Sequence, residues 1–311
     1  YILFALAIYR ISIADWDTAG VDMLEVSHRA ERSGDVRRMG ESLHGLARVR
    51  ERAGKIGESA DAFERLLLVA TKHDNPRARI EALSGLATVQ LTHYRDLREE
   101  RLKELLAALA EFDKSDRMPA LARMVGWGRA ALAFRQLGRM EEALAAADEA
   151  YVRTVRSGMP EITEVDGFAN AADVYLNRWQ DHGPDAHVCE RAVELCRSLR
   201  RYAGKYRNGR PLSMRRNAYL LWLQGKPEKA YRLWQECAAL AEAMGMPHEL
   251  AMSLYELGRH LPEAHPARAG HLKRALGLTR QMGARIDEAS IKAVMGLTAS
   301  SGGLVSKRAQ G

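Results

Sequence analysis

The sequence has 311 residues, of which 47% are hydrophobic and 28% are charged, and its formal net charge is +7. This composition is typical of a folded chain and excludes an intrinsically disordered one, which would carry much less hydrophobic sequence. The basic residues are spread along the chain, so the charge favours acidic partners only mildly. Three cysteines in 311 residues are too few for a disulfide framework, which predicts a reducing, cytoplasmic location.

The first segment, YILFALAIYRISIA, is apolar but too short to span a bilayer, and Arg10 interrupts it. It also lacks the basic start and the cleavage site of a signal peptide. We therefore expect no membrane association. Because the sequence has no initiator methionine, we expect it to be part of a longer protein.

A small residue recurs along the chain every 40 to 46 residues, and a large apolar residue stands four positions before each one. We call these seven small residues the anchors: Ala7, Ala47, Ala87, Ala131, Ala172, Ala218 and Gly258. Residues three or four apart share one face of a helix. Each anchor thus predicts a helix with a notch beside bulky side chains. A second notch follows in each unit, as at Ala143 and Ala230, except that Leu102 takes this place in the third unit.

Prolines and glycines mark the boundaries of these predicted helices. Prolines before the anchors predict helix starts, because the first helical N–H needs no partner: Pro76, Pro119, Pro160, Pro211 and Pro247. Glycines predict helix ends in the left-handed conformation: Gly34, Gly158, Gly204, Gly245 and Gly283. Turns between the two helices of a unit are predicted at Gly54, Gly138 and Gly225.

The motif Trp127-x2-Ala130-Ala131-x2-Phe134, followed by Ala143, resembles the tetratricopeptide repeat (TPR), as does the unit around Ala218. The resemblance implies an all-α, right-handed superhelical α-solenoid of about seven helix–turn–helix units over residues 1–283. Residues 284–298 are predicted to form a capping helix and residues 299–311 a disordered tail. A plain antiparallel bundle is the alternative, but it would not require seven notches in register.

The resemblance to TPR arrays also implies that the first helices line a concave, partner-binding surface. Mapped onto this sequence, that surface corresponds to the residues three positions before, one position after and four positions after each anchor. The predicted partner-binding residues combine arginines and aromatic rings, the composition of interaction hot spots: Arg135, Asp173, Arg215, Tyr219, Trp222, Tyr255 and Arg259. In the second unit the same projection gives His44, Arg48 and Glu51.

Residues 197–216 contain eight basic residues, two tyrosines and no acidic residue. Basic and aromatic side chains together suit phosphate contacts and base stacking. The candidate anion-binding residues are Arg200, Arg201, Lys205, Arg207 and Arg210. The alternative is a solvated loop between repeats whose arginines pair with acidic residues elsewhere, and this alternative is favoured.

The sequence contains no glycine-rich phosphate loop, no G-x-S-x-G and no H-E-x-x-H motif. His182, His187, Cys189 and Cys196 do not have a common zinc spacing. Cys196 and Cys237 both fall on notch positions, so core packing explains them better than metal binding. We therefore expect no catalysis, no metal and no cofactor.

The C-terminal units resemble the helical arms of bacterial signalling proteins that combine a STAND-type ATPase with a nucleotide cyclase or a DNA-binding output domain. This resemblance implies a sensor or scaffold arm of a larger regulatory protein. The leading hypothesis is a non-catalytic protein–protein interaction module that binds a protein or peptide segment, which could be another domain of the same chain. The alternative is a receptor superhelix for a small ligand or peptide. Nucleic-acid binding is disfavoured.

Overall fold

The computed structural model describes residues 2–93, 98–113, 120–157 and 165–297. Over these ranges the regular secondary structure is helical, in fifteen α-helices and one short 3₁₀ turn. In chain order the α-helices are α1 (Ile2–Ile13), α2 (Trp16–Ser33), α3 (Val36–Arg52), α4 (Ile56–Lys72), α5 (Pro76–His93), α6 (Arg98–Asp113), α7 (Ala120–Gln136), α8 (Met140–Ser157), α9 (Val165–His182), α10 (Ala186–Lys205), α11 (Arg210–Leu223), α12 (Pro227–Ala243), α13 (Pro247–His260), α14 (Pro266–Met282) and α15 (Arg285–Val294). The 3₁₀ turn spans Arg207–Gly209.

Local sequence explains most helix ends. Proline is the first residue of α5, α12, α13 and α14, where its fixed φ suits the helix and its missing N–H costs nothing. Asp35 caps α3 by accepting a hydrogen bond from the backbone N–H of Arg38, 2.9 Å away. Gly34 and Gly283 end α2 and α14 in the left-handed conformation, as predicted.

One predicted helix end is wrong. Gly204 lies inside α10, which continues to Lys205 and ends at Tyr206 in an extended conformation. The side chain of Tyr202 packs inside the protein, which holds the last turn of α10 in place beyond the glycine. The predicted boundary residues Pro119, Gly158 and Pro160 lie outside the described residues.

The helices pack as seven consecutive pairs, from α1 with α2 to α13 with α14. The short turns within the described pairs make the two helices antiparallel. All seven anchors are buried, as predicted, and Leu102 of the third unit is buried as well. At Gly258 a Cβ atom would lie 2.6 Å from a side-chain carbon of Leu272, so this anchor needs glycine.

The pairs stack in two layers. From α3 onward each first helix packs against the next first helix, up to α13, and this series forms the inner layer. The second helices pack on the outside between successive first helices. This sequential stacking is that of an α-solenoid, in which each unit buries the apolar face of its neighbour.

The inner helices α7 and α9 approach each other more closely than side chains would allow. A Cβ atom on Gly128 would lie 2.4 Å from the carbonyl oxygen of Gly167 and 2.6 Å from its Cα atom. Both glycines lie at this crossing, so backbone meets backbone there.

The array curves far enough for its two ends to touch. The indole N–H of Trp16, at the start of α2, donates a hydrogen bond to the carbonyl oxygen of Met244, 2.7 Å away. The turn at Gly54 lies against Pro247 and Met282, and α15 contacts α5. The inner layer therefore encloses a central space instead of an open groove.

The terminal helix α15 falls within the predicted capping segment, packs against α14 and buries Ile291. The predicted disordered tail, residues 299–311, lies outside the described residues. No described helix combines the length and the apolar character needed to cross a membrane.

Replacing Ala131 with leucine tests the anchor interpretation. Ala131 is fully buried between α7 and α8, so the larger side chain should lower the free energy of unfolding by about 1–3 kcal/mol. Urea denaturation measures this value. Ala145→Leu on the exposed face of α8 is the control and should change stability little. Equal stability of the two variants would contradict the packing described here.

Candidate functional site: the central cavity

The central space holds a cavity of about 390 Å³. Six successive first helices and α15 supply most of its walls. The charged and polar lining residues are Glu51, Arg52, Thr88, Arg129, Arg135, Gln136, Asp166, Asn170, Asp173, Asn177, Arg215, Arg216, Tyr219, His248, Glu249, Tyr255, Glu256, Arg259, Asp287 and Ser290. Its volume is in the range of pockets that hold small ligands.

The lining residues follow a helical spacing that differs slightly from the predicted one. On α9 they are Asp166, Asn170, Asp173 and Asn177, which lie six and two before and one and five after the anchor. The predicted face used three before, one after and four after. Relative to the predicted face, the face that lines the cavity is rotated about the helix axis by less than one residue position, which is 100° in an α-helix. For this reason the projection missed several lining residues: Arg129, Asp166, Asn170, Arg216 and Glu256.

Asp166, at the start of α9, joins three units through buried ion pairs. Its carboxylate accepts from Arg52 of α3 at 2.6 Å and from Arg129 of α7 at 3.3 Å, and it also contacts Arg48. Glu51 pairs with Arg129 at 3.1 Å and contacts Arg48. Burial lowers the pKa of Arg52 to about 10, so this arginine remains charged at neutral pH.

A second buried cluster joins α9, α11 and α13. Arg215 donates to Glu249 at 2.7 Å, and Arg216 donates to Asp173 at 2.7 Å. Burial alone would raise the pKa of Glu249, but the charges of Arg215 and Arg216 outweigh it and hold the pKa well below its usual range. The carboxylate is therefore ionised and fixed by the two arginines.

Six of the seven predicted partner-binding residues line this cavity: Arg135, Asp173, Arg215, Tyr219, Tyr255 and Arg259. The guanidinium carbon of Arg259 lies 5.0 Å from the ring centre of Tyr219 and 5.3 Å from that of Tyr255, and Nε of Arg259 donates to Glu256 at 2.6 Å. His44 and Arg48 of the second unit do not line it, whereas Glu51 does.

Trp222, the seventh predicted residue, does not line the cavity. It lies in an aromatic cluster between α11, α12 and α13, with ring centres 4.0 Å from His260, 5.8 Å from Tyr231 and 6.2 Å from Trp234. Trp222 stands four residues after its anchor, the offset at which Arg135 of α7 lines the cavity. On α11 the side chain at this offset packs against α12 and α13 instead.

Trp222→Ala is therefore expected to act on stability. Removing the ring leaves a gap against Trp234 and His260 and should lower the free energy of unfolding by about 2 kcal/mol. Thermal melts and ligand titrations of the same samples distinguish this from a binding role. Val152→Ala, an exposed apolar truncation, is the control. An unchanged melting temperature would contradict the packing role.

Arg135 and Gln136, at the end of α7, line the cavity, and each has one buried side-chain atom with no hydrogen-bond partner among the described residues. The buried Nε of Arg135 donates no hydrogen bond, and Oε1 of Gln136 accepts none. No carboxylate among the described residues lies within ion-pair distance of Arg135. Arg135 lies close enough to Asp287 to help lower the pKa of that aspartate. The carboxylate of Asp287, however, contacts Nε2 of His248, 3.0 Å away.

The pair His248–Asp287 makes stability depend on pH. Burial lowers the pKa of His248, but the hydrogen bond to Asp287 outweighs it, so the pKa lies above 6.5. Burial raises the pKa of Asp287, but His248 and two arginines outweigh it, so this pKa lies below 3.8. The contribution of His248 to the stability of the fold is lost as the pH rises through its pKa in the folded state. The contribution of Asp287 is lost as the pH falls through its own folded-state pKa.

We therefore expect the stability difference between the native chain and Asp287→Asn to be largest near pH 5–6. It should shrink above pH 7 and below pH 4. Urea unfolding at pH 3.5, 5.5 and 8 measures it, with Asp17→Asn, an exposed carboxylate, as the control. A difference that is constant over this range would contradict the pairing.

The basic segment 197–216 is not a loop, contrary to the favoured alternative. It forms the end of α10, the 3₁₀ turn and the first half of α11. Tyr202 is buried and cannot stack on a base. The candidate anion-binding residues are exposed, but Arg200 contacts Asn217 and Arg201 contacts Glu194. Lys205 lies 5.0 Å from the ring centre of Tyr206.

The cysteines do not form a metal site within the described part of the chain, where no group of three or more His, Cys, Asp or Glu residues could hold an ion. Cys196 and Cys237 are fully buried, as their notch positions predict. Burial raises the pKa of each thiol to about 12, so both are neutral core residues.

No protein-family model matches the sequence, and no curated protein matches it.

Proposed function

We propose that the chain is a non-catalytic binding module whose central cavity receives a small polar ligand or a short protein segment. The observation that carries this proposal is the enclosed, charge-rich cavity to which α3, α5, α7, α9, α11 and α13 each contribute side chains. The walls of the cavity come from units that are far apart in the chain. A ligand that contacts several of these units at once would therefore change their relative arrangement. This is the behaviour required of a sensor.

The state of the cavity carboxylates favours binding over catalysis. Each of the six contacts an arginine or a histidine: Glu51, Asp166, Asp173, Glu249, Glu256 and Asp287. The pairing lowers the pKa of Glu249, Glu256 and Asp287, whereas a general acid or base must exchange protons near the working pH. The fold is proposed to be a TPR-like, right-handed superhelix that serves as the sensor arm of a larger regulatory protein.

A cavity-blocking variant tests the proposal. Leu132 lines the cavity, and Leu132→Trp should fill much of it. Leu68→Trp, at a position 70% exposed on α4, is the matched control. A library of small metabolites and short peptides would be screened by thermal shift. We expect ligands that stabilise the native chain and Leu68→Trp but not Leu132→Trp. Ligands that stabilise all three equally would place binding elsewhere and overturn the proposal.

A further inference from the structure

The charges around the cavity do not balance. Together with Arg48, which contacts Asp166 from α3, the described residues at the cavity include seven arginines and six carboxylates. Six arginines pair with five of the carboxylates, and Asp287 pairs with His248. Arg135 is the arginine that remains, and its buried Nε has no hydrogen-bond partner.

The buried Nε–H of Arg135 is costly unless a ligand accepts its hydrogen bond. A buried donor without an acceptor loses its hydration without compensation, and the loss is larger for a charged group. The carboxylate of Asp287 lies close enough to Arg135 for the arginine to help lower its pKa, but it is already paired with His248. Gln136, Asn170 and Asn177 contribute neutral amides to the same cavity. Amides can donate to an anion without neutralising the arginine. Arg135 therefore provides a ready position for an oxyanion.

We propose that Arg135 is the anchor for a carboxylate group on the cavity's ligand. The planar guanidinium presents two parallel N–H donors that match a carboxylate. The pocket of about 390 Å³ leaves room for a few further carbon or peptide units. This inference rests on the proposed function of the cavity. The carboxylate could belong to a free small acid or to the terminus of a peptide, and the chemistry at Arg135 is the same in both cases.

Titration calorimetry at low salt distinguishes the two sources. The probes are succinate, acetyl-tetraalanine with a free C-terminal carboxylate, and the same peptide as its amide. We expect one of the carboxylate probes to bind saturably and the amide to bind at least about tenfold more weakly. Binding of succinate alone would identify a small-acid site, and binding of the free peptide alone a site for chain termini.

Arg135→Gln should weaken the carboxylate probe by at least about tenfold. Arg232→Gln, at an exposed position of α12 outside both candidate sites, is the matched control, and this variant should bind the probe as tightly as the native chain does. Because Nε of Arg135 has no hydrogen-bond partner among the described residues, the melting temperature of Arg135→Gln should be unchanged or higher, which separates lost binding from unfolding.

Three outcomes would overturn the inference: undiminished binding by Arg135→Gln, equal binding of the acid and amide peptides, or no binding of any probe. A lower melting temperature of Arg135→Gln would also count against it, because it would mean that Arg135 serves the fold. The proposed function is judged separately, since ligands from the screen that Leu132→Trp excludes would stand even if Arg135 plays no part.

Discussion

Asp166→Asn is expected to lower the free energy of unfolding by about 3–5 kcal/mol, because removing one partner of a buried ion pair leaves uncompensated charge inside the protein. Here one carboxylate faces Arg48, Arg52 and Arg129, whose side chains are 6%, 15% and 3% exposed. After the substitution, Glu51 would be the remaining acidic partner of this cluster. The three guanidinium groups would repel each other across the interface of α3, α7 and α9.

Equilibrium urea denaturation measures this loss, and Asp17→Asn is the matched control. Asp17 also pairs with a cation, Lys55 at 3.2 Å, but its side chain is 89% exposed. Such a surface pair contributes about 0–1 kcal/mol. If both variants lose the same small amount, Asp166 does not hold these units together.

Gly128→Ala is expected to destabilise the protein by about 3 kcal/mol, although alanine is the better helix former. Its Cβ would overlap the backbone of Gly167, and backbone cannot move aside as a side-chain end can. Helices α7 and α9 would have to separate. We therefore expect a loss of stability at the upper end of the range usual for overpacked cores. The separation would also disturb the cavity, because α7 contributes Arg135 and α9 contributes Asn170 to its walls.

Gly277→Ala on α14 is the control, because no atom lies within 4 Å of a Cβ placed there. It should stabilise the protein by up to about 1 kcal/mol through helix propensity alone. Opposite signs for the two glycines, measured by urea denaturation, are the expected result. A stabilising Gly128→Ala would mean that α7 and α9 do not cross as closely as described.

The anchors were predictable because local spacing determines which residues of a helix face its partner. Ala131 and Ala218 needed only the period of a helix and a small side chain to be placed correctly. The cavity face was predicted to within one residue position, so Asp173 and Arg259 were found and Arg129 and Asp166 were missed. Helix rotation depends on how whole units pack, and a 100° step per residue turns a small error into different residues.

Two other features had no local signal. Trp222 was assigned to the concave face because it lies four residues after its anchor, but its partners Trp234 and His260 come from two later helices. The pairing of Arg52 with Asp166 spans 114 positions. Contacts of this range depend on the curvature of the array, which no single repeat encodes.

The contact between Trp16 and Met244 also changes how this array should fold. In an open array each unit contacts only its neighbours, so ends can fray and folding can begin at any unit. Here the hydrogen bond joins residues 228 positions apart, and the turn at Gly54 packs against Pro247. Deleting the last two units would remove support from the first two, so the chain should unfold in one concerted transition. Closing contacts over such distances is also slow, and these repeats therefore gain the cooperativity of a globular domain at the expense of folding rate.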